Sequence, residues 1–341
     1  VNAEVTLPVP ATVDDIDAGW LAAAISFAPE PGRPERIGEA YGLASEVWRI
    51  PVGPPIGAVV VKLWDTSTPA GTGEVEFYRR FGDDPGIRVP RCHHGAVDPG
   101  RSRGVLVLED MSDARQGDAT TTMDHDDRSR VVRAIAGLHA RWWEGAAPEG
   151  LPLRIHLPGL GAEPEYIEDR RQGFVERFGP LGDSPMHRVI VDADQVLGPA
   201  EAIVAQAPST LLHGDLHLDN ILFAGIDGEP CLLDWTRTGT GPGVRSLANL
   251  AFNMSPPGTL DEVMATYRDE LRRHGVLYDS DTLALHLSAA TVRAVLVWTL
   301  GMVRWIPATP REAALIELTL DGAASACETW VRRRPSWPRF P

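Results

Sequence analysis

Lysine is almost missing from this chain. Of its 32 basic residues 31 are arginine, and Lys62 stands alone. Arginine and lysine exchange freely on a solvated surface but not in a site. Lys62 is therefore either a chance survivor or the holder of a task that arginine cannot perform. Cysteine is scarce too. Cys92, Cys231 and Cys327 are scattered and odd in number, which implies no disulfide framework. Cys92-His93-His94 lacks a second ligand pair at a useful spacing, so no metal site is expected there. Positive charge is outnumbered, and the net charge of −15 argues against a nucleic-acid partner. Such an acidic balance mostly serves solubility, and it also suits a cationic partner. The most apolar stretch, Thr282 to Ile306, is interrupted by His286, Arg293 and Arg304, which predicts a core helix and no membrane span. No N-terminal stretch joins a basic start to an apolar core, so no signal peptide and a cytoplasmic location are expected.

What is present is an ordinary globular composition, 43% hydrophobic and 23% charged over 341 residues. That length allows one large domain or two closely joined ones with a sizeable core. Helical spacing marks Ile16 to Phe27, with Asp14 or Asp15 near its start, and Gly73 to Phe81, with Val75, Tyr78 and Phe77 as inward candidates. Strands are predicted at Val47–Pro51, Ala58–Trp64, Ile87–Pro90 and Val105–Leu108, with a turn at 53–57. From Asp126 onward helical patterns dominate: Asp126–Trp143, Pro164–Phe178, Val191–Gln206, Leu260–His274, Thr282–Trp305 and Arg311–Arg333. A strand pair, Ile221–Phe223 and Pro230–Leu233, interrupts them. Trp337 to Pro341 reads as a tail. The organisation expected is a β-rich part over residues 1–110 and a mainly helical part over 111–341.

Chemistry concentrates in His213-Gly214-Asp215-Leu216-His217-Leu218-Asp219-Asn220, followed fourteen residues later by Asp234-Trp235. Phosphoryl transfer needs a carboxylate to orient a hydroxyl and take its proton, and oxygen ligands for Mg²⁺. A kinase catalytic loop provides these as H-x-D-L-x-x-x-N, with a second Asp after a β-hairpin. The spacing here matches. So dense a polar run beside apolar strands would be costly as mere core.

In these residues the chain resembles the aminoglycoside phosphotransferase and choline kinase superfamily, whose loops read H-G-D-x-H-x-x-N. The resemblance implies an α+β, two-lobed protein-kinase-like fold with the nucleotide in the cleft between lobes. It implies Asp215 as catalytic base and Asn220 and Asp234 as Mg²⁺ ligands. His213 becomes a loop buttress, and His217 either holds the loop or faces substrate. Asp219 is read as solvated or capping. Lys62, in the strand Val59-Val60-Val61-Lys62-Leu63-Trp64, becomes the phosphate-binding lysine. Glu74 is its expected helix partner, because the family resembles E-x-x-F-Y there, with Glu76 as the alternative. Tyr41 to Trp48 lies where phosphate cover is expected, with Gly42 and Ser45 as candidates, although no G-x-G-x-x-G is present. Val105 to Met111 resembles the interlobe hinge, where the backbone from Glu109 to Met111 would meet adenine. Ala134 to Trp143 resembles a core helix, with His139 packed rather than catalytic. Acidic groups at Asp124, Asp126, Asp127, Glu163, Glu165, Glu168 and Asp169 could line an acceptor site, but solvated helix ends are the favoured reading. The chain departs from the family at Ser246, where an Asp supporting the catalytic loop is usual; a neutral hydroxyl is the weaker support.

The expected activity is transfer of the γ-phosphate of ATP or GTP to a hydroxyl of a small molecule, such as an aminoglycoside or an amino alcohol. A kinase of peptide or protein Ser/Thr hydroxyls is the alternative, disfavoured by the short span from Asp234 to Ser246. A nucleotide-binding pseudokinase is the other, disfavoured by the joint retention of Lys62, Asp215, Asn220 and Asp234.

Overall fold

A computed structural model describes residues 7–38, 45–65, 71–82, 84–98, 100–145, 164–256 and 258–333. In chain order the first elements are α1 (Ala18–Ile25), β1 (Glu35–Ile37), β2 (Ser45–Gly53), β3 (Gly57–Asp65), α2 (Gly71–Phe81), β4 (Cys92–Asp98), β5 (Arg103–Glu109) and β6 (Arg115–Gln116). Then come α3 (His125–Arg141), α4 (Pro164–Phe178), α5 (Pro185–Val191), α6 (Ala193–Val204), β7 (Ser209–Leu212), β8 (Ile221–Ala224), β9 (Glu229–Leu232) and β10 (Gly239–Pro242). Four helices close the order: α7 (Val244–Asn253), α8 (Leu260–Arg273), α9 (Ser280–Gly301) and α10 (Pro310–Arg333). The chain divides into two compact units. One is Val1–Gln116 with Asp219–Thr238, the other Gly117–Leu218 with Gly239–Pro341.

The first unit is built on an antiparallel sheet in the order β1-β2-β3-β5-β4. Strand alternation sends Val59, Val61 and Leu63 of β3 to one face, where they join Ile50, Val105, Val107 and the α1 residues Trp20, Leu21 and Ile25. Each such side chain, fully buried, is worth roughly 1.5–3 kcal/mol. The period of two then fixes Lys62 on the opposite face, where Glu74 of α2 meets it. The cap of α1 is Asp17, whose Oδ1 accepts from the Trp20 amide at 2.7 Å. Asp15 instead closes the preceding turn, accepting from the Ala11 and Thr12 amides at 2.8 and 3.0 Å. The helix therefore starts later than its apolar spacing suggested.

One other expectation in this unit needs correction. Ile87–Pro90 is not a strand; Arg88 makes a single bridge to Cys231, and Pro90 has no N–H to give a ladder. The strand is β4, whose residues are all half-buried and so show no alternation to read. The hairpin β8–β9 forms with Ile221 opposite Leu232 and is joined by the short β6.

The helical unit packs Phe174, Ile190, Leu197, Phe252, Val295, Leu296 and Leu300 into one core. Helix α9 is long and apolar enough to cross a membrane by composition, yet 78% of its most apolar window is buried inside the protein. A helix buried on most sides is a core helix. The residues that interrupt its apolar run have partners: Arg293 pairs with Glu201 of α6, and His286 Nδ1 meets the Tyr278 hydroxyl at 2.6 Å. The helix expected at Val191–Gln206 is α6, which starts at Ala193; α5, which ends directly before it, was not foreseen. Helix α7 and the β7–β10 ribbon were not foreseen. In the ribbon Leu212 lies opposite Gly239 and Ser209 opposite Pro242.

Candidate active site

In the first unit the structure gathers Lys62, Glu74 and Asp234. Lys62 Nζ is 2.7 Å from Glu74 Oε2 and 3.4 Å from Asp234 Oδ1. Glu76, the alternative partner, points away and pairs with Arg79 at 3.2 Å and with Arg80. The Lys62 and Glu74 side chains are 14% and 3% exposed. Burial opposes the Lys62 charge, but the two carboxylates outweigh it and hold its pKa above the ordinary lysine value. Burial likewise raises the Glu74 carboxyl, only partly offset by Lys62. A buried ion pair adds little net stability, because desolvation offsets the attraction. Its value is that it holds an ammonium at one place on the sheet.

Glu74 also ties α2 to the segment after β9. Its Oε1 accepts from the Trp235 amide at 3.3 Å. One helical step away, Phe77 stacks flat on Trp235 with ring centroids 3.8 Å apart and planes 5° apart, and neither ring is exposed. Asp234 has a left-handed backbone, φ +59°, which Asp tolerates better than most residues. Its carboxylate accepts from the Thr236 amide at 3.4 Å and from the Thr236 hydroxyl. The side chain is still 41% exposed. The β8–β9 register brings Asn220 alongside, its carbonyl accepting from the Leu233 amide at 2.9 Å.

The other nucleotide candidates are more dispersed. Ser45 opens β2, opposite Trp64. Gly42 lies outside the described residues. Glu109 ends β5, and its side chain is engaged by Arg88 at 2.7 Å and by the Arg91 amide at 3.0 Å. The Glu109 amide itself donates to the Arg91 carbonyl at 2.8 Å. Met111 follows, with its sulfur 3.7 Å from Arg88.

In the helical unit β7 delivers the other group. His213 is buried, and its Nδ1 accepts from the Asp215 amide at 3.3 Å. This bond closes the loop on itself and requires Gly214 at φ +89°, a region few other residues enter without strain. Asp215 and His217 are half-buried. Ser246 is buried in the first turn of α7, its amide donating to the Gly243 carbonyl at 3.1 Å. Of the acidic groups, Asp124 caps α3 by accepting from the Asp127 amide at 2.8 Å, and Glu168 and Asp169 pair with Arg171 and Arg304. Glu163 lies outside the described residues.

Sequence reasoning missed the Trp235–Phe77 stack and the Thr236 hydroxyl. The available signal was adjacency: Trp235 and Thr236 follow Asp234, and Phe77 lies one turn from Glu74.

A profile of the phosphotransferase enzyme family matches residues 40–279, well over half of the chain. No curated protein matches the sequence. Among solved structures the chain is similar to a microcompartment-associated aminopropanol kinase, at 17% identity over 89% of this chain and 93% of that one, TM-score 0.59. It is similar to a spectinomycin phosphotransferase in complex with ADP and spectinomycin, at 12% identity over 93% and 99%, TM-score 0.55. It is also similar to a choline kinase from Streptococcus pneumoniae, at 15% identity over 89% and 98%, TM-score 0.52. These likenesses establish the two-lobed α+β, protein-kinase-like fold.

Proposed function

The chain belongs to the phosphotransferase enzyme family, and we propose that it transfers the γ-phosphoryl group of ATP or GTP to a hydroxyl of a small molecule. The observation that carries this reading is the cluster of the only lysine with Glu74 and Asp234. Lys62, oriented by Glu74, holds the nucleotide's phosphate oxygens. Asp215 accepts a hydrogen bond from the acceptor hydroxyl and aligns its oxygen on the γ-phosphorus. The new O–P bond forms as the bond to the β–γ bridging oxygen breaks, the nucleoside diphosphate leaves, and the hydroxyl proton passes to Asp215. The backbone from Glu109 to Met111 would take the base through groups other than the Glu109 amide, which is bonded to Arg91, and the Glu109 side chain is committed to Arg88.

The donor set suits Mg²⁺, which takes one or two protein oxygens and fills its other positions with phosphate and water. Asp234, whose side chain is partly exposed, and Asn220 would hold the ion. Bound there, it neutralises charge on the phosphates.

The structural relatives named for aminopropanol, spectinomycin and choline support a small hydroxylated acceptor that carries an amine, in keeping with the net charge of −15. The test is a turnover screen with MgATP and MgGTP against amino alcohols, aminoglycosides, spectinomycin, sugars and Ser/Thr peptides. Asp215→Ala should abolish transfer while nucleotide-dependent thermal stabilisation persists. Near-normal turnover in that variant removes Asp215 from the role. A preference for the peptides removes the small-molecule reading. No thermal shift with either nucleotide in the unmodified chain removes the kinase reading altogether.

A further inference from the structure

We infer that His139 of α3 and Tyr267 of α8 are positioning residues: together they form the seat on which the β7–β10 ribbon rests, and they set the His213–Asp215 loop through it. The catalytic meaning of that loop rests on the function proposed above; the seat itself does not.

The ribbon needs outside support. It is two strands of four residues each, and an isolated two-stranded ribbon is marginal in water. One strand reads Gly239-Thr240-Gly241-Pro242, which is poor in side chains and lacks a donor at Pro242. Yet β7 ends at Leu212, directly before His213, so any slip of the ribbon moves the loop.

Four groups meet at its base. The Thr210 hydroxyl donates to the His139 carbonyl at 2.8 Å. His139 Nδ1 and the Tyr267 hydroxyl share a hydrogen bond of 2.8 Å. The Gly243 amide, just past β10, donates to the Pro208 carbonyl just before β7 at 3.2 Å. A Cβ on Gly243 would lie 3.0 Å from His139 Nδ1 and 3.2 Å from both Tyr267 Oη and Thr210 Cγ2. Only glycine lets the ribbon sit this closely on the pair.

His139 is an expensive residue for plain packing. It is fully buried, and burial pushes its pKa down to about 3, so the ring is neutral at all ordinary pH. Its Nε2 has no partner among the described residues. A leucine would fill such a space without an unmatched polar atom. The contact that distinguishes histidine here is the one from Nδ1 to Tyr267. Helix periodicity supplies both members: His139 falls on the face of α3 that buries Val132, Ile135 and Ala136, and Tyr267 falls between Val263 and Leu271 of α8.

The test compares Tyr267→Phe and His139→Gln with Thr299→Val, which removes a buried hydroxyl bonded only within α9. Amide hydrogen exchange is read peptide by peptide on the whole chain. Both seat variants should exchange residues 211–217 roughly tenfold faster, the scale of one lost buried hydrogen bond. Residues 312–326 of α10 should be unchanged, and Thr299→Val should leave 211–217 as in the parent. In turnover, Tyr267→Phe should lower kcat about tenfold with the nucleotide KM within about twofold, the signature of a misplaced loop rather than a lost binding group. Unchanged exchange at 211–217 overturns the inference, as does an equal rise there in Thr299→Val. If the parent chain transfers no phosphoryl group, the proposed function falls while the exchange result still decides the seat.

Discussion

Lys62 keeps its charge where water cannot easily serve it, and the two carboxylates beside it are the reason. Breaking a buried pair costs more than the pair was worth, because the remaining charge is stranded. Lys62→Met should therefore destabilise the protein by up to about 3–5 kcal/mol in urea titration. Adding Glu74→Gln should recover most of that loss, since Gln is neutral and can still accept from the Trp235 amide. Nucleotide binding should be lost in both, which separates the proposed phosphate-holding role of Lys62 from the pair's contribution to folding. His139 makes a pH prediction of defined sign. Its folded pKa of about 3 lies below the ordinary 6.5, so the unfolded chain binds the extra proton between those values. Stability is complete above about pH 6.5 and falls as pH drops toward 3. His94 and His286, also depressed by burial, act in the same direction. His139→Gln should flatten the slope of unfolding free energy against pH over that window, and an unchanged slope would refute the assignment. At this scale the Lys62 cluster was legible: Lys62 stood out by being alone, and Glu74 and Asp234 were named beside it. Glu74 against Glu76 could not be settled by counting, because one turn of the helix offers both carboxylates on different faces. The sheet face carrying Lys62 decided it.

Among elements, α2 matters because it carries Glu74, and what docks it is the Phe77–Trp235 stack. Phe77→Ala should cost about 3–5 kcal/mol as a large-to-small change in a closed core. It should also weaken nucleotide-dependent stabilisation more than an equally destabilising change in α9 does. Long periodic helices such as α4, α8 and α10 were readable within a residue or two, because one buried stripe repeats over several turns. Short elements were not. β4 is half-buried on both faces and shows no alternation, and β10 is written in Gly and Pro, the residues of turns. α5 went unread because its seven residues span about two turns, too few for a buried stripe to repeat.

For the whole molecule, the order of a β-rich part and a helical part was visible as a change of periodicity near residue 126. Less visible was that Asp219–Thr238, more than a hundred residues downstream of β6, belongs to the same compact unit as the N-terminal sheet. That return is made by pairing, Arg115 opposite Phe223 and Arg88 opposite Cys231, and backbone pairing between distant segments leaves no periodic trace. The arginine bias has a practical consequence at this scale. Lysine-directed chemistry, whether acylation, reductive methylation or an acyl-phosphate probe, can address one side chain in the entire protein, and that side chain lies in the cluster with Glu74 and Asp234. Labelling by a nucleotide acyl phosphate should therefore stop at one equivalent on Lys62 and be blocked by MgATP. The polypeptide is, in effect, supplied with a single built-in handle for occupancy measurements, needing no engineered tag.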